Sequence, residues 1–390
     1  MEDWRAGGFG LYIHWPFCQS KCPYCDFNSH VAATIDQRRW RDAYLREIAR
    51  VGAETRDRVL GTVFFGGGTP SLMEPEVVAD VLAAVRATWP MANDPEITLE
   101  ANPGSVEAGR FCGFRDAGVN RISMGVQALR DDDLRRLGRL HSVADARQAY
   151  DIARHCFDRV SFDLIYARQG QTLEDWQAEL REALSMAVDH LSMYQLTIED
   201  GTAFGDRFAR GGLRGLPDED VQADMYAATQ EVCASHGMPA YEVSNHARPG
   251  AESRHNLIYW RMGDYAGIGP GAHGRLTLDG RRWATVAPRA PGAWLAAVER
   301  GLAGEEPRED IGAEEQATEY LLMSMRLSEG MDLARYARLA GAPIAAEKID
   351  GLVELGLVRV DSAASGGAGR LIATPEGRAV LNGVLRELAG

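Results

Sequence analysis

The chain has 390 residues, 45% of them hydrophobic, and carries 42 basic against 56 acidic side chains for a net charge of −14. That length predicts two domains, or one large domain with an appendage, around a sizeable core. The negative charge argues against nucleic acid as a partner, and no apolar run reaches the 18 or so residues of a membrane span, which leaves only peripheral association open.

Residues 11–15 form the first apolar run and predict a strand, in which period two puts Tyr12 and His14 on one face. The run ends at Pro16, and Cys18, Cys22 and Cys25 follow at C-x3-C-x2-C spacing. A structural zinc site wants four protein ligands, as does a cubane held wholly by protein. Three clustered thiols suit a [4Fe-4S] cluster with one iron left open to a small molecule. Six cysteines in all, three of them clustered, argue against a disulfide framework. In a reducing compartment, such as the cytoplasm expected here, a cluster of this kind more often holds metal. The opening residues lack the pattern of a signal peptide.

Further strands are predicted at 62–65, 97–101, 121–124, 160–165 and 190–197, with helical patterns at 37–51, 75–89, 106–117, 144–155 and 173–187. This alternation implies a parallel sheet covered by helices, an α/β partial (β/α)6 TIM-type barrel with its chemistry at the carboxyl ends of the strands. The second strand runs into Gly66, Gly67, Gly68, Thr69 and Pro70, where the missing side chains let backbone approach a ligand. The third ends at Glu100, a carboxylate suited to accepting from ribose hydroxyls, with a helix cap or salt bridge as the plainer reading. After the fourth come Gln127 and Arg139, a guanidinium fit to clamp a carboxylate; Arg135 and Arg136 read as solvated helix-face charges. The fifth carries Asp163 inside an apolar run, where an acid needs a partner, either Arg139 or a ligand amino group. Cys112, Cys156 and Cys233 fall on helical patterns and read as ordinary core thiols.

Residues 239–275 hold Tyr241, His246, His255, Asn256, Tyr259, Trp260 and His273. Histidine can ligate haem iron and aromatic rings can cover a porphyrin, although an H-N-x-x-Y-W segment also reads as a packed loop. A charged, Pro- and Gly-bearing stretch at 301–310 reads as a linker between residues 1–305 and a small domain at 306–390. Helical patterns at 313–327, 332–340 and 345–355, two strands at 357–361 and 370–374 around a glycine-rich turn at 362–369, and a last helix from Pro375 make that domain winged-helix-like. Over 311–390 acidic residues outnumber basic ones, eleven to eight, so it lacks a nucleic-acid footprint; the barrel mouth or a protein is its expected contact.

The cysteine spacing, preceded by Y-I-H-x-P-F and followed by G-G-G-T-P, resembles the radical S-adenosylmethionine (SAM) superfamily over essentially the whole chain. Within it the chain is similar to the oxygen-independent coproporphyrinogen III oxidase-like branch, and there to its haem chaperones. The resemblance implies that Cys18, Cys22 and Cys25 hold the cluster, whose open iron takes the amino and carboxylate groups of SAM. It implies SAM contacts at Tyr12, Tyr24, Gly67, Gly68, Thr69, Glu100, Gln127, Arg139 and Asp163, with haem or substrate contacts at His255, Asn256, Tyr259 and Trp260. The function it implies is a haem chaperone that binds haem and delivers it to an acceptor protein. Two alternatives stand beside it, an oxygen-independent coproporphyrinogen III dehydrogenase and a radical SAM methyltransferase. Phe27, where the dehydrogenases carry a further cysteine, and the short N-terminus favour the chaperone; the complete SAM pocket favours an enzyme. No residue is assigned a catalytic role.

Overall fold

A computed structural model describes residues 2–361 and 369–389. Six parallel strands follow one another across its main sheet: β1 (Phe9–Trp15), β2 (Leu60–Gly67), β3 (Met91–Ala101), β4 (Arg121–Gln127), β5 (Arg159–Tyr166) and β6 (His190–Gln195). The helices between them are α1 (Gln37–Thr55), α2 (Pro75–Thr88), α3 (Phe111–Ala117), α4 (Val143–Cys156) and α5 (Leu173–Met186), with α6 (Glu219–Ser235) after β6. Capping boxes at Ser142 and Thr172, whose hydroxyls accept from the amides of Asp145 and Asp175, start α4 and α5. The partial barrel thus holds as expected, and it stays open. Beyond β6 lies the short antiparallel β7 (Asn245–Ala247). Beyond β1 lie β8 (Asp264–Ile268), parallel to it, then the antiparallel β9 (His273–Leu278), β10 (Arg281–Val286) and β11 (Glu309–Asp310).

The two faces of the sheet differ in chemistry. Leu11, Ile13 and Trp15 on β1 and Val63 and Phe65 on β2 point outward and are fully buried beneath the helices. There Trp15, Trp40 and Tyr44 pack with Trp294 of α8 (Pro291–Glu299), the Trp40 and Trp294 rings stacking at 5.6 Å. The inner face is polar. Along β3 it carries Glu96, Thr98 and Glu100 in alternation, the first two buried and Glu100 half-buried at the strand's carboxyl end.

The C-terminal part is winged-helix-like. Helix α9 (Ala313–Ser324) leads to β12 (Met331–Asp332), then come α10 (Leu333–Ala340), α11 (Ala346–Glu354), β13 (Val358–Asp361) and β14 (Arg370–Ala373). The three strands form one small sheet, and α12 (Leu381–Ala389) closes the unit. Of the glycine-rich turn, residues 362–368 lie outside the described residues. A second core of Tyr320, Leu321, Met325, Leu371 and Leu385 also takes in Met262 from the barrel side. Arg335 crosses between the two parts: it pairs with Asp3 at 2.6 Å, donates to the Arg261 carbonyl at 2.7 Å and lies over the Tyr320 ring. The stretch read as a linker is itself tied down, since Arg50 and Arg308 both pair with Glu305 and β11 joins the main sheet.

One expectation is corrected. Cys112 on α3 and Cys156 on α4 form a disulfide, their Cα atoms 5.2 Å apart, in place of the ordinary core thiols that the sequence predicts. The two lie 44 residues apart in sequence, and only the packing of adjacent helices brings them together. Among the described residues no helix is long and apolar enough to cross a membrane.

Asp264 is fully buried and pairs with Arg58 at 2.5 Å and Arg282 at 2.8 Å, while Thr277 donates to it as well. Replacing it with alanine strands two buried guanidinium groups. Asp264→Ala should lower unfolding stability by about 3–5 kcal/mol, read as an earlier urea midpoint with unchanged slope.

Candidate functional site

Backbone hydrogen bonds dock the cysteine loop onto the glycine turn. The β1–β2 ladder pairs His14 with Gly66 and Trp15 with Gly67. Past it, Gly68 N–H donates to the Trp15 carbonyl at 2.7 Å and Thr69 N–H to the Phe17 carbonyl at 2.8 Å. A Cβ on Gly68 would stand 2.6 Å from the Phe17 oxygen, and one on Gly67, whose φ is +112°, 2.6 Å from the His14 ring. Glycine is required at both positions by this close approach.

Cys18, Cys22 and Cys25 are free and half-buried, with Cys25 N–H turned back to the Cys22 carbonyl at 3.1 Å. Burial pushes the Cys18 and Cys25 thiols up from their ordinary range. Thr69 Oγ1 donates to Cys18 Sγ and Arg139 Nη1 to Cys22 Sγ, each at 3.4 Å. Among the described residues no three His, Cys, Asp or Glu side chains converge on one metal ion. The donor set fits an iron–sulfur cluster: three thiols in one loop, with hydrogen-bond donors rather than carboxylates directed at two of the sulfurs.

The loop is braced from below. Tyr12 and His14 share the inner face, as expected, with Tyr12 O–H 3.1 Å from His14 Nδ1. His14 Nε2 donates to the Asn28 carbonyl at 3.0 Å; because a carbonyl only accepts, Nδ1 is the nitrogen that accepts from Tyr12. Asn28 in turn donates to the carbonyls of Pro270 and Arg289. This brace from β1 to the loop was not expected from the sequence, beyond the shared face of Tyr12 and His14.

The expected SAM residues gather at the carboxyl ends of the strands. Gly67 N–H donates to Glu100 Oε2 at 3.2 Å, and Gln127 Nε2 to Asp163 Oδ2 at 2.6 Å. Asp163 thus has a hydrogen-bond partner in Gln127, and Arg139 acts on it through charge alone. Gln127 holds a left-handed φ of 71° at a register slip in the β4–β5 ladder, a strained conformation that a structural turn would give to glycine. Arg139 Nη2 donates instead to Asn102 Oδ1 at 2.7 Å and to the Gly125 carbonyl at 2.8 Å. Tyr24 packs against Phe204. A cavity of about 220 Å³, lined among others by Gln19, Ser20, Cys22, Asn102, Glu107 and Arg139, opens beside the loop. Asn102 was not singled out from the sequence, although it stands two residues after Glu100 and so on the same face.

His255 lies deeper in the barrel, its ring stacked 6.5 Å from that of Tyr12. Helix α7 (Arg254–Trp260) closes the sheet's inner face near the amino ends of β1 and β2. There His255 is 1% exposed, with Thr62 Oγ1 2.6 Å from its Nδ1 and Tyr259 O–H 2.6 Å from its Nε2. Both ring nitrogens are engaged, and burial pushes its pKa down to about 3. Glu96 accepts from its backbone N–H and pairs with Arg159. Trp260 is half-buried beneath Arg326, and Asn256 N–H bonds Ser253. His246 is buried on β7 and His273 is exposed, so the histidines of this stretch do not meet.

Burial, then Asp163, pushes the Glu100 carboxyl up to about 7; burial pushes Asp163 up to about 6. Both acids keep their protons longer folded than unfolded, so their contribution to stability is whole below the ordinary carboxylate range and is lost as pH rises through 6 to 7. In cluster-free protein the urea midpoint should fall between pH 5 and pH 8. Glu100→Gln should remove roughly 1–3 kcal/mol of that fall; an equally steep fall in the variant would refute the shift.

Residues 12–183 match the model of the Radical SAM superfamily. Over 334 residues the chain is 40% identical to the heme chaperone HemW of Escherichia coli, covering 85% of this chain and 86% of that protein. Over 386 residues it is 37% identical to the heme chaperone HemW of Mycobacterium tuberculosis, covering 98% and 95%. Among solved structures, the coproporphyrinogen III oxidase HemN of Escherichia coli superposes with a TM-score of 0.80 at 20% identity, over 99% of this chain and 92% of that one, a likeness of fold.

Proposed function

The chain belongs to the radical SAM superfamily, and on that premise we propose that it is a haem chaperone of the cytoplasm, which binds haem and hands it to an acceptor protein. The likeness to heme chaperones along nearly the full length of both chains carries this reading. Phe27 supports it: where the dehydrogenases carry a cysteine, this chain holds an aromatic ring, 59% exposed beside the cysteine loop.

Cys18, Cys22 and Cys25 would hold a [4Fe-4S] cluster, which supplies one-electron chemistry to SAM at its open iron. The N–H groups of Gly67 and Gly68 are already spent, so the glycine turn offers carbonyl oxygens to the SAM ammonium group, with Thr69 beside it. Glu100 and Asp163 would accept from its ribose and amino groups, Arg139 would meet its carboxylate, and Tyr12, Tyr24 and Gln127 would wall the site. Haem contact by His255, Asn256, Tyr259 and Trp260 requires the floor helix to open, because the one lone pair of His255 is taken.

Anaerobically reconstituted protein should carry about four irons per chain, and Cys22→Ala should lose them; unchanged iron would end the cluster assignment. Titration with haemin should raise a Soret band. His255→Ala should weaken it if the floor opens to haem, and an indifferent band places the haem elsewhere.

The connected SAM residues favour a second reading, a porphyrinogen-oxidising enzyme. Coproporphyrinogen III with SAM and a reductant, without oxygen, should yield no protoporphyrinogen. Its formation would reverse the order of the two readings.

A further inference from the structure

The donors at the cysteine sulfurs belong to one hydrogen-bonded bracket, centred on a residue outside both the cysteine loop and the glycine turn. Asn102 follows the end of β3. Its Oδ1 accepts from Arg139 Nη2 at 2.7 Å, and its Nδ2 donates to Thr69 Oγ1 at 3.1 Å. The orientation of the amide is settled by chemistry: a guanidinium only donates, so the oxygen must face it. Each end of the amide then directs a donor. Thr69 Oγ1 receives the amide proton, which leaves its own single proton for Cys18 Sγ. Arg139 Nη2 is tied to Asn102 and Gly125, which turns Nη1 to Cys22 Sγ. Cys25 stands outside this bracket: the side-chain donors to cysteine sulfur among the described residues are Thr69 at Cys18 and Arg139 at Cys22.

We propose that Asn102 is a positioning residue of the cluster site, which sets the reduction potential of the cluster and its hold on iron by keeping Thr69 and Arg139 against two of the three cysteines. Donors to sulfur draw electron density from the thiolates and favour the reduced, more negative state of a cluster, so they raise its potential. They also restrain the ligand sulfurs, which slows iron loss. A neutral amide does this from the centre without adding charge. The inference rests on the cluster assignment proposed above, and the two fail differently.

The test uses the full chain, reconstituted without oxygen, as wild type, Asn102→Ala, Thr69→Val and the double variant. Iron per chain, the midpoint potential from a redox titration followed by electron paramagnetic resonance, and the rate of iron loss to a chelator are measured. Wild type without iron would sink the cluster assignment and this inference with it. With iron bound, Asn102→Ala should titrate at a more negative potential than wild type and lose iron about tenfold faster. Because Asn102 acts through Thr69 on one side, Thr69→Val should shift the potential less in the Asn102→Ala background than in wild type. Equal potentials and loss rates in wild type and Asn102→Ala, or strictly additive shifts, would overturn the proposal. Should Asn102→Ala load no iron, Asn102→Asp decides: it keeps the acceptor for Arg139 but draws the Thr69 proton away from Cys18. Its loaded cluster should titrate more negative than wild type; an equal or higher potential, or a failure to load, counts against Asn102.

Discussion

Two backbone hydrogen bonds hold the site together: Gly68 N–H to the Trp15 carbonyl and Thr69 N–H to the Phe17 carbonyl. They continue the β1–β2 ladder beyond the point where both strands stop being strands. Everything that faces a ligand hangs on that seam, because it fixes the start of the cysteine loop against the turn that carries Thr69. The seam leaves no room for Cβ atoms, and so it explains the glycines without reference to any ligand. It also delivers Thr69 to Cys18 by backbone geometry, which a flexible loop could not do repeatably.

The inner face of the sheet poses the opposite problem. It carries acids and hydroxyls where an ordinary core carries leucine, and each must be satisfied or kept neutral. At the amino ends Glu96 is satisfied by Arg159, by the amide of His255 and by the field of Arg121, and its carboxyl is held below the ordinary range despite its burial. At the carboxyl ends Glu100 has the Gly67 amide but no arginine paired with it, and burial and Asp163 push its carboxyl up instead. Two glutamates four residues apart on one strand therefore behave differently. The closed end is built for stability, and the open end keeps polar groups in reserve for something the protein binds.

Much of this architecture could be read from the sequence, because hydrophobic period sets strands and faces locally. The strand ends at Trp15 and Ala101, the shared face of Tyr12 and His14, and the single loop of three thiols all follow from neighbours in the chain. The second and fourth strands, by contrast, run on to Gly67 and Gln127, past the expected 65 and 124. What escaped was partnership. Asp163 visibly needed a partner, yet period two cannot say whether Gln127 or Arg139 reaches it; a left-handed residue at a register slip decided that. Cys112 and Cys156 carry no spacing signal, since their pairing depends on how α3 lies against α4. The spacing of His255 and its aromatic neighbours likewise does not show that hydroxyls of Thr62 and Tyr259 meet both ring nitrogens.

The openness of the barrel has a consequence for how copies of this protein share a crowded compartment. An unclosed parallel sheet ends in two rows of unpaired amides and carbonyls, which invite strands from other molecules. Here the outermost strands are very short, three residues at one end and two at the other. The former is buried, and the latter is Glu309–Asp310, a pair of exposed acids. Neither offers an extended template, and the acidic end repels its own kind. The protein thereby keeps the access of an open sheet without the adhesiveness that usually accompanies it.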